Sequence, residues 1–139
     1  MVSALRGRRA VVAKLGMDAH WRGAIVAANT LRNAGMEVIY LGHATPAEIA
    51  SIVVDEDPDV VGLSSLSGNH LLECQRVIGA LAEAGADDVA VVLGGTVPPK
   101  DEPALAEMGV KAVFSTGTSS ETIIERVGAL IDARAPQGA

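Results

Sequence analysis

Asp59-Val60-Val61-Gly62-Leu63-Ser64, then Cys74, Val77, Ile78 and Leu81 ending at Gly85, then Asp88-Val89-Ala90-Val91-Val92-Leu93 running into Gly94-Gly95: this stretch decides the architecture. The first and last segments are short, branched apolar runs, the pattern of strands buried on both faces. Between them the apolar residues recur at i, i+3, i+4 and i+7, which is one face of a helix. Strand, covering helix and strand make a right-handed crossover between parallel neighbours.

The same alternation extends both ways from this unit. Upstream, Arg9-Ala10-Val11-Val12-Ala13-Lys14 reads as a strand, followed by a helix from about Arg22 to Ala34 with Ile25, Ala28 and Leu31 inward and Gly35 as its stop. Glu37-Val38-Ile39-Tyr40-Leu41 is the next strand. Thr45-Pro46-Ala47-Glu48 then offers a capping Thr, Pro at the first helical position and Glu three residues after the cap. Ile49, Ile52 and Val53 form the inner face of that helix. Downstream, a short helix covers roughly Glu102 to Met108, and Lys111-Ala112-Val113-Phe114 is a strand. Thr118-Ser119-Ser120-Glu121 reads as a second capping box, opening a helix with Ile123, Val127, Leu130 and Ile131 inward. Five βα units predict an α/β fold: a doubly wound five-stranded parallel sheet, flavodoxin-like (Rossmann-like), with strand order 2-1-3-4-5. Residues 9–133 form the domain, and 1–8 and 134–139 read as flexible ends.

Composition agrees. Of 139 residues, 49% are hydrophobic but only 2% aromatic, so the core is built from Val, Ile, Leu and Ala, as parallel sheets prefer. The net charge of −6 disfavours nucleic-acid and anionic-membrane surfaces. No apolar run is long enough to span a bilayer. The one cysteine excludes an intramolecular disulfide and fits a reducing cytoplasm.

In such sheets ligands bind beyond the carboxyl ends of the strands, at the switch point. After the first strand comes Lys14-Leu15-Gly16-Met17-Asp18-Ala19-His20-Trp21-Arg22-Gly23. It holds a cation, a carboxylate and an imidazole. A metal-ligating His needs its second ring nitrogen engaged, usually by a carboxylate. Asp18 can do this in an extended loop, and Lys14 can hold Asp18 ionised. Gly23 leaves room over the next helix start. The third strand ends Ser64-Ser65-Leu66-Ser67, hydroxyls beside an apolar wall, although one of these serines could simply cap the following helix. Gly94-Gly95 permits close backbone approach. Ser115-Thr116-Gly117-Thr118 lies at a helix start, where a phosphate or ribose fits.

Asp-x-His-x-x-Gly at 18, 20 and 23, Ser-x-Leu at 64 and 66, and Gly-Gly at 94 and 95 together resemble the cobalamin-binding signature of methylmalonyl-CoA-mutase-type isomerases and the methionine synthase family. The first element alone is weak. All three, in this order and at these strand ends from about Arg9 to Ile131, are specific. The resemblance implies that His20 replaces dimethylbenzimidazole as lower ligand to cobalt, with Asp18 and Lys14 as the relay behind it. It implies that the displaced nucleotide tail enters a slot between sheet and helices. Ser64 would hydrogen-bond the buried base and Leu66 pack on it. Gly94 and Gly95 would line the slot, with Thr116, Gly117 and Thr118 near its phosphate end. Arg22 and Gly23 belong to the same cofactor-binding set.

The runs Val61 to His70 and Gly94-Gly95-Thr96-Val97-Pro98-Pro99 look most like acyl-CoA mutases. Some members carry this domain as a separate small subunit, as in isobutyryl-CoA and 2-hydroxyisobutyryl-CoA mutases. The implied function is that of an adenosylcobalamin-binding subunit, inactive alone. Its partner would be a large, barrel-bearing, substrate-binding subunit in a heterotetramer, with a GTPase chaperone as a further partner. A stand-alone cobalamin carrier or sensor is the alternative; light or repressor modules would bring further segments. A receiver-like domain needs an acidic pair at strand ends, where this first strand offers Lys14. The chain departs from the mutase run Asp-Gly-His-Asp-Arg-Gly at Ala19 and Trp21, so Trp21 is expected against the corrin edge or the partner. His43 and His70, without carboxylates at ligand spacing, read as surface or interface residues, and Cys74 as a small core residue.

Overall fold

The helix boundaries follow local chemistry. In a computed structural model of the chain, which describes residues 5–15, 22–65, 70–115 and 117–134 (without the side chains of 22–24 and 134), the capping box at Thr45 forms in full. The Thr45 hydroxyl accepts from the Glu48 N–H at 3.1 Å, and the Glu48 carboxylate accepts from the Thr45 N–H at 2.8 Å. The elements are β1 (Arg9–Lys14), α1 (Arg22–Asn33), β2 (Glu37–His43), α2 (Pro46–Glu56), β3 (Val60–Ser65), α3 (His70–Glu83), β4 (Ala90–Gly95), a 3-10 turn (Pro99–Asp101), α4 (Glu102–Met108), β5 (Val110–Ser115) and α5 (Ser120–Arg134). Gly35 and Gly85, the expected stops, both take left-handed backbone, with φ of 101° and 75°.

All strand pairs are parallel and the order is β2-β1-β3-β4-β5, as the alternation required. The pleat divides the interior in two. Ala13, Val61, Leu63, Val91 and Leu93 pack with Ile49 and Val53 of α2, Cys74, Val77 and Leu81 of α3, and Leu105 of α4. Val12, Val60, Val92, Ala112 and Phe114 pack with Ala28 and Leu31 of α1 and with Val127 and Ile131 of α5. Charge pairs gather at the amino edge instead. There Arg9 meets Glu37 at 3.2 Å and Glu56 at 3.5 Å, and its N–H donates to Asp59 at 2.9 Å.

Three expectations need correcting. Thr118 does not cap the last helix. Its hydroxyl donates to the Ser115 carbonyl at 2.6 Å, and Ser119 caps instead, accepting from the Thr122 N–H at 3.1 Å. The capping frame is therefore one residue later than the Thr118/Glu121 reading. The amino-terminal segment packs from Leu5, which is fully buried, while the Gly7 N–H donates to the Gly35 carbonyl at 3.2 Å. His70 is not a surface residue: it is 4% exposed and its Nε2 lies 2.8 Å from Asp101 Oδ2.

Cys74 is a core residue with a raised pKa. Burial, and then the adjacent Glu73 carboxylate, push its thiol from 9.0 up to about 12. The folded chain holds this proton where an unfolded thiol has lost it. The group's contribution to stability is thus complete below pH 9.0 and is lost as pH rises toward 12. The native thiol should stay unmodified by a thiolate-directed disulfide reagent at mildly alkaline pH and react fully on unfolding. Stoichiometric labelling of the native chain would contradict this placement.

Candidate cofactor site at the carboxyl edge of the sheet

Strand register assembles the site. Lys14 pairs with Ser64, and Ser64 with Gly94, so these residues of β1, β3 and β4 form one row across the sheet. Gly94 continues the row to Phe114 of β5, and the next row is Ser65, Gly95 and Ser115. The ladder runs on past Lys14, since the Leu15 N–H donates to the Ser64 carbonyl at 2.9 Å. Alternation from Val12, Val60 and Val92 turns Lys14, Gly62, Ser64 and Gly94 toward α1 and α5.

That face is open where it should be closed. Strands at the centre of a helix-covered parallel sheet are normally buried on both sides. On β3, Val61, Leu63 and Ser65 are buried on the α2/α3 side, whereas Gly62 and Ser64 remain partly exposed, as does Gly94 beside them. Two glycines and a serine thus form a low, partly exposed strip on the side of α1 and α5, a trough in the side-chain layer of the sheet. Among the described residues, a Cβ at Gly94 would meet the Phe114 and Leu63 carbonyl oxygens, at 3.7 and 3.9 Å, and nothing nearer. Gly94 therefore serves space. Gly95, with φ of 137°, serves backbone shape. A flat, narrow ligand part can lie in such a trough, with the Ser64 hydroxyl as a donor within it.

Lys14 is 3% exposed, so it is not a solvated strand end. Ser65 does not cap α3 either: its hydroxyl donates to the Glu73 carboxylate at 2.7 Å. Gly117, with φ of 93°, and Thr118 stand at the start of α5 beside Ser115. Arg22 and Gly23 open α1. Asp18, His20, Leu66 and Thr116, like Ala19 and Trp21, lie outside the described residues. The segments that carry them leave from Leu15, Ser65 and Ser115, all at this carboxyl edge. A separate cleft of about 390 Å³ opens on the opposite face, bounded by Leu15, His43, Pro46, Glu48, Glu73 and Arg76. His43 is exposed there, as a surface residue should be.

The sequence reading passed over Gly62. Its signal was the spacing of Gly62 and Ser64, which puts two small residues on one face of a central strand.

Fold and site together define a doubly wound α/β ligand-binding domain with its cleft at the switch point. The chain belongs to the B12 binding domain family, whose pattern it matches over residues 8–125. It is 42% identical to the 2-hydroxyisobutanoyl-CoA mutase small subunit of Aquincola tertiaricarbonis over 91% of this chain and 93% of that protein. It is 44% identical to the pivalyl-CoA mutase small subunit of Xanthobacter autotrophicus over 90% of this chain and 84% of that one. Among solved structures, a cobalamin-binding protein from Desulfitobacterium hafniense shares the fold, with a TM-score of 0.70 at 24% identity over 84% of this chain and 55% of that chain.

Proposed function

We propose that this chain is the cobalamin-binding small subunit of an adenosylcobalamin-dependent acyl-CoA mutase. The observation that carries the reading is the row Lys14, Ser64 and Gly94, which puts a buried cation, a hydroxyl and an absent side chain side by side at the switch point. Family membership and the two small-subunit relatives support it.

The residues fit the cofactor in kind. The trough of Gly62, Ser64 and Gly94 suits a displaced nucleotide base. Ser64 hydrogen-bonds that base, Leu66 packs on it, and Gly94 and Gly95 keep its path clear. Thr116, Gly117 and Thr118 serve its phosphate end, and Arg22 and Gly23 belong to the same cofactor-binding set. His20 ligates cobalt through one ring nitrogen. Asp18 accepts a hydrogen bond from the other, fixing tautomer and orientation, and Lys14 holds Asp18 ionised. When bound, adenosylcobalamin supplies radical chemistry by homolysis of its cobalt–carbon bond, for 1,2-rearrangement of an acyl carbon skeleton. This chain binds and orients.

The substrate site belongs to a large, barrel-bearing partner subunit, in a heterotetramer that a GTPase chaperone services. The test is reconstitution. The purified chain with adenosylcobalamin and branched or linear acyl-CoA thioesters gives no isomerisation, and adding a large mutase subunit gives turnover. Isomerisation by this chain alone would overturn the proposal.

A further inference from the structure

The feature the site leaves unused is the pair formed by buried His70 and partly exposed Asp101. β3 and β4 are held in register at Ser64 with Gly94 and at Ser65 with Gly95. The two paths then leave the sheet edge and come together again where His70, at the start of α3, meets Asp101, at the end of the 3-10 turn, at 2.8 Å. Ladder and side-chain pair thus tie the start of α3 to the turn before α4, beyond the ends of β3 and β4.

Asp101 ends the 3-10 turn that runs directly into α4, with helical backbone (φ −91°, ψ −11°), and its side chain makes no capping bond. It is turned to His70. An ionised carboxylate only accepts, so Nε2 carries the proton, and the ring is fixed with Nδ1 as its second polar atom. That atom is buried with no hydrogen-bond partner among the described residues. A buried imidazole with one ring nitrogen engaged and the other without a partner among the described residues is a local compromise of the kind that marks functional positions.

We infer that His70 and Asp101 form a positioning clasp that fixes the start of α3 against the turn before α4, at the sheet edge beside the cofactor cleft. Neither residue touches the cofactor. The clasp acts through the strand ends, Ser64 of β3 and Gly94 and Gly95 of β4, and the inference rests on the cobalamin reading of that cleft. Supporting residues of this type characteristically change ligand affinity without being ligands.

The experiment is an absorption titration of the full chain with adenosylcobalamin, paired with thermal melting, for wild type, His70→Leu, Asp101→Ala, the double variant and His70→Gln. Asp101 is partly exposed, so its truncation leaves a folded chain even if His70→Leu does not. Each single truncation is expected to weaken binding about tenfold, and the double variant no further, because the two act as one unit. His70→Gln, which can still donate to Asp101, should bind within about threefold of wild type. Lower melting temperatures with unchanged affinity, or effects that multiply in the double variant, would overturn the clasp. A wild-type chain that binds no adenosylcobalamin would overturn the cofactor reading, and this inference with it. Normal wild-type binding with unaffected variants overturns the clasp alone.

Discussion

Gly94→Val should leave the chain folded and remove tight cobalamin binding. Gly94 lies on a central strand, and a Cβ there makes only ordinary contacts at 3.7 and 3.9 Å with neighbouring strand carbonyls. A β-branched side chain suits that backbone, and replacing glycine in a strand gains roughly 0.5–1 kcal/mol. The methyl groups, however, project toward α1 and α5 into the trough that Gly62 and Ser64 share. On the proposed function they occupy the space of the nucleotide base, and β4 cannot retreat because it is paired on both sides. The affinity loss should exceed about a hundredfold, or about 2.7 kcal/mol. Melting makes the contrast plain. Cofactor at a hundred times its Kd stabilises wild type by about 2.7 kcal/mol, a shift of roughly 10 °C for a chain of this size. Gly94→Val should melt at or above the wild-type temperature without cofactor and show no shift with it. Gly94→Ala, whose methyl stops at ordinary contact distance, should keep most of the affinity. Wild-type binding by the valine variant would mean that the trough is not the nucleotide slot.

His20→Ala should abolish the spectrum of nitrogen-ligated, base-displaced cobalamin and weaken binding by about a hundredfold or more, at least the upper end of what loss of a supporting residue costs. His20 is the imidazole of the segment joining Leu15 to Arg22, at the edge where Lys14, Ser64 and Gly94 align. Asp18→Asn should give a milder version, because the amide still occupies the place but does not favour the N–H tautomer as a carboxylate does. Free imidazole should restore part of the His20→Ala spectrum by entering the space the side chain vacates. An unchanged spectrum in His20→Ala would remove it from the cobalt. The Gly94 and His20 results are separable, since on the proposed function one change blocks the tail and the other removes the ligand.

Much of this was legible from residues close in sequence. The strand and helix periods of Val60 to Leu93, the capping box at Thr45 and the inward Cys74 each follow from neighbours within one or two turns, and each is as read. Long-range partners were not legible. His70 looked unpaired because its carboxylate lies 31 residues away. Its burial follows only once β3 and β4 are adjacent. The role of Gly62 likewise needs the register that sets it between Val12 and Val92. The displaced cap at Ser119 is a different failure. Two adjacent hydroxyl residues compete for one helix start, and Thr118 is taken by the Ser115 carbonyl. Ser64, Gly94 and Gly95 fall at the ends of β3 and β4, the part of the fold that the alternation fixes best, whereas Asp18, His20 and Leu66 lie outside the described residues.

The central claim is that His20 of this chain ligates the cobalt of bound cobalamin. Electron paramagnetic resonance of cob(II)alamin bound to chain grown with ¹⁵N-labelled histidine tests it directly, because the unpaired electron couples to the axial nitrogen. The account predicts that the triplet splitting from a ¹⁴N ligand becomes a doublet in the labelled protein, and that His20→Ala shows neither protein-derived pattern. A triplet that persists in the labelled wild type would mean that the cofactor's own base remains on cobalt, and would contradict the claim.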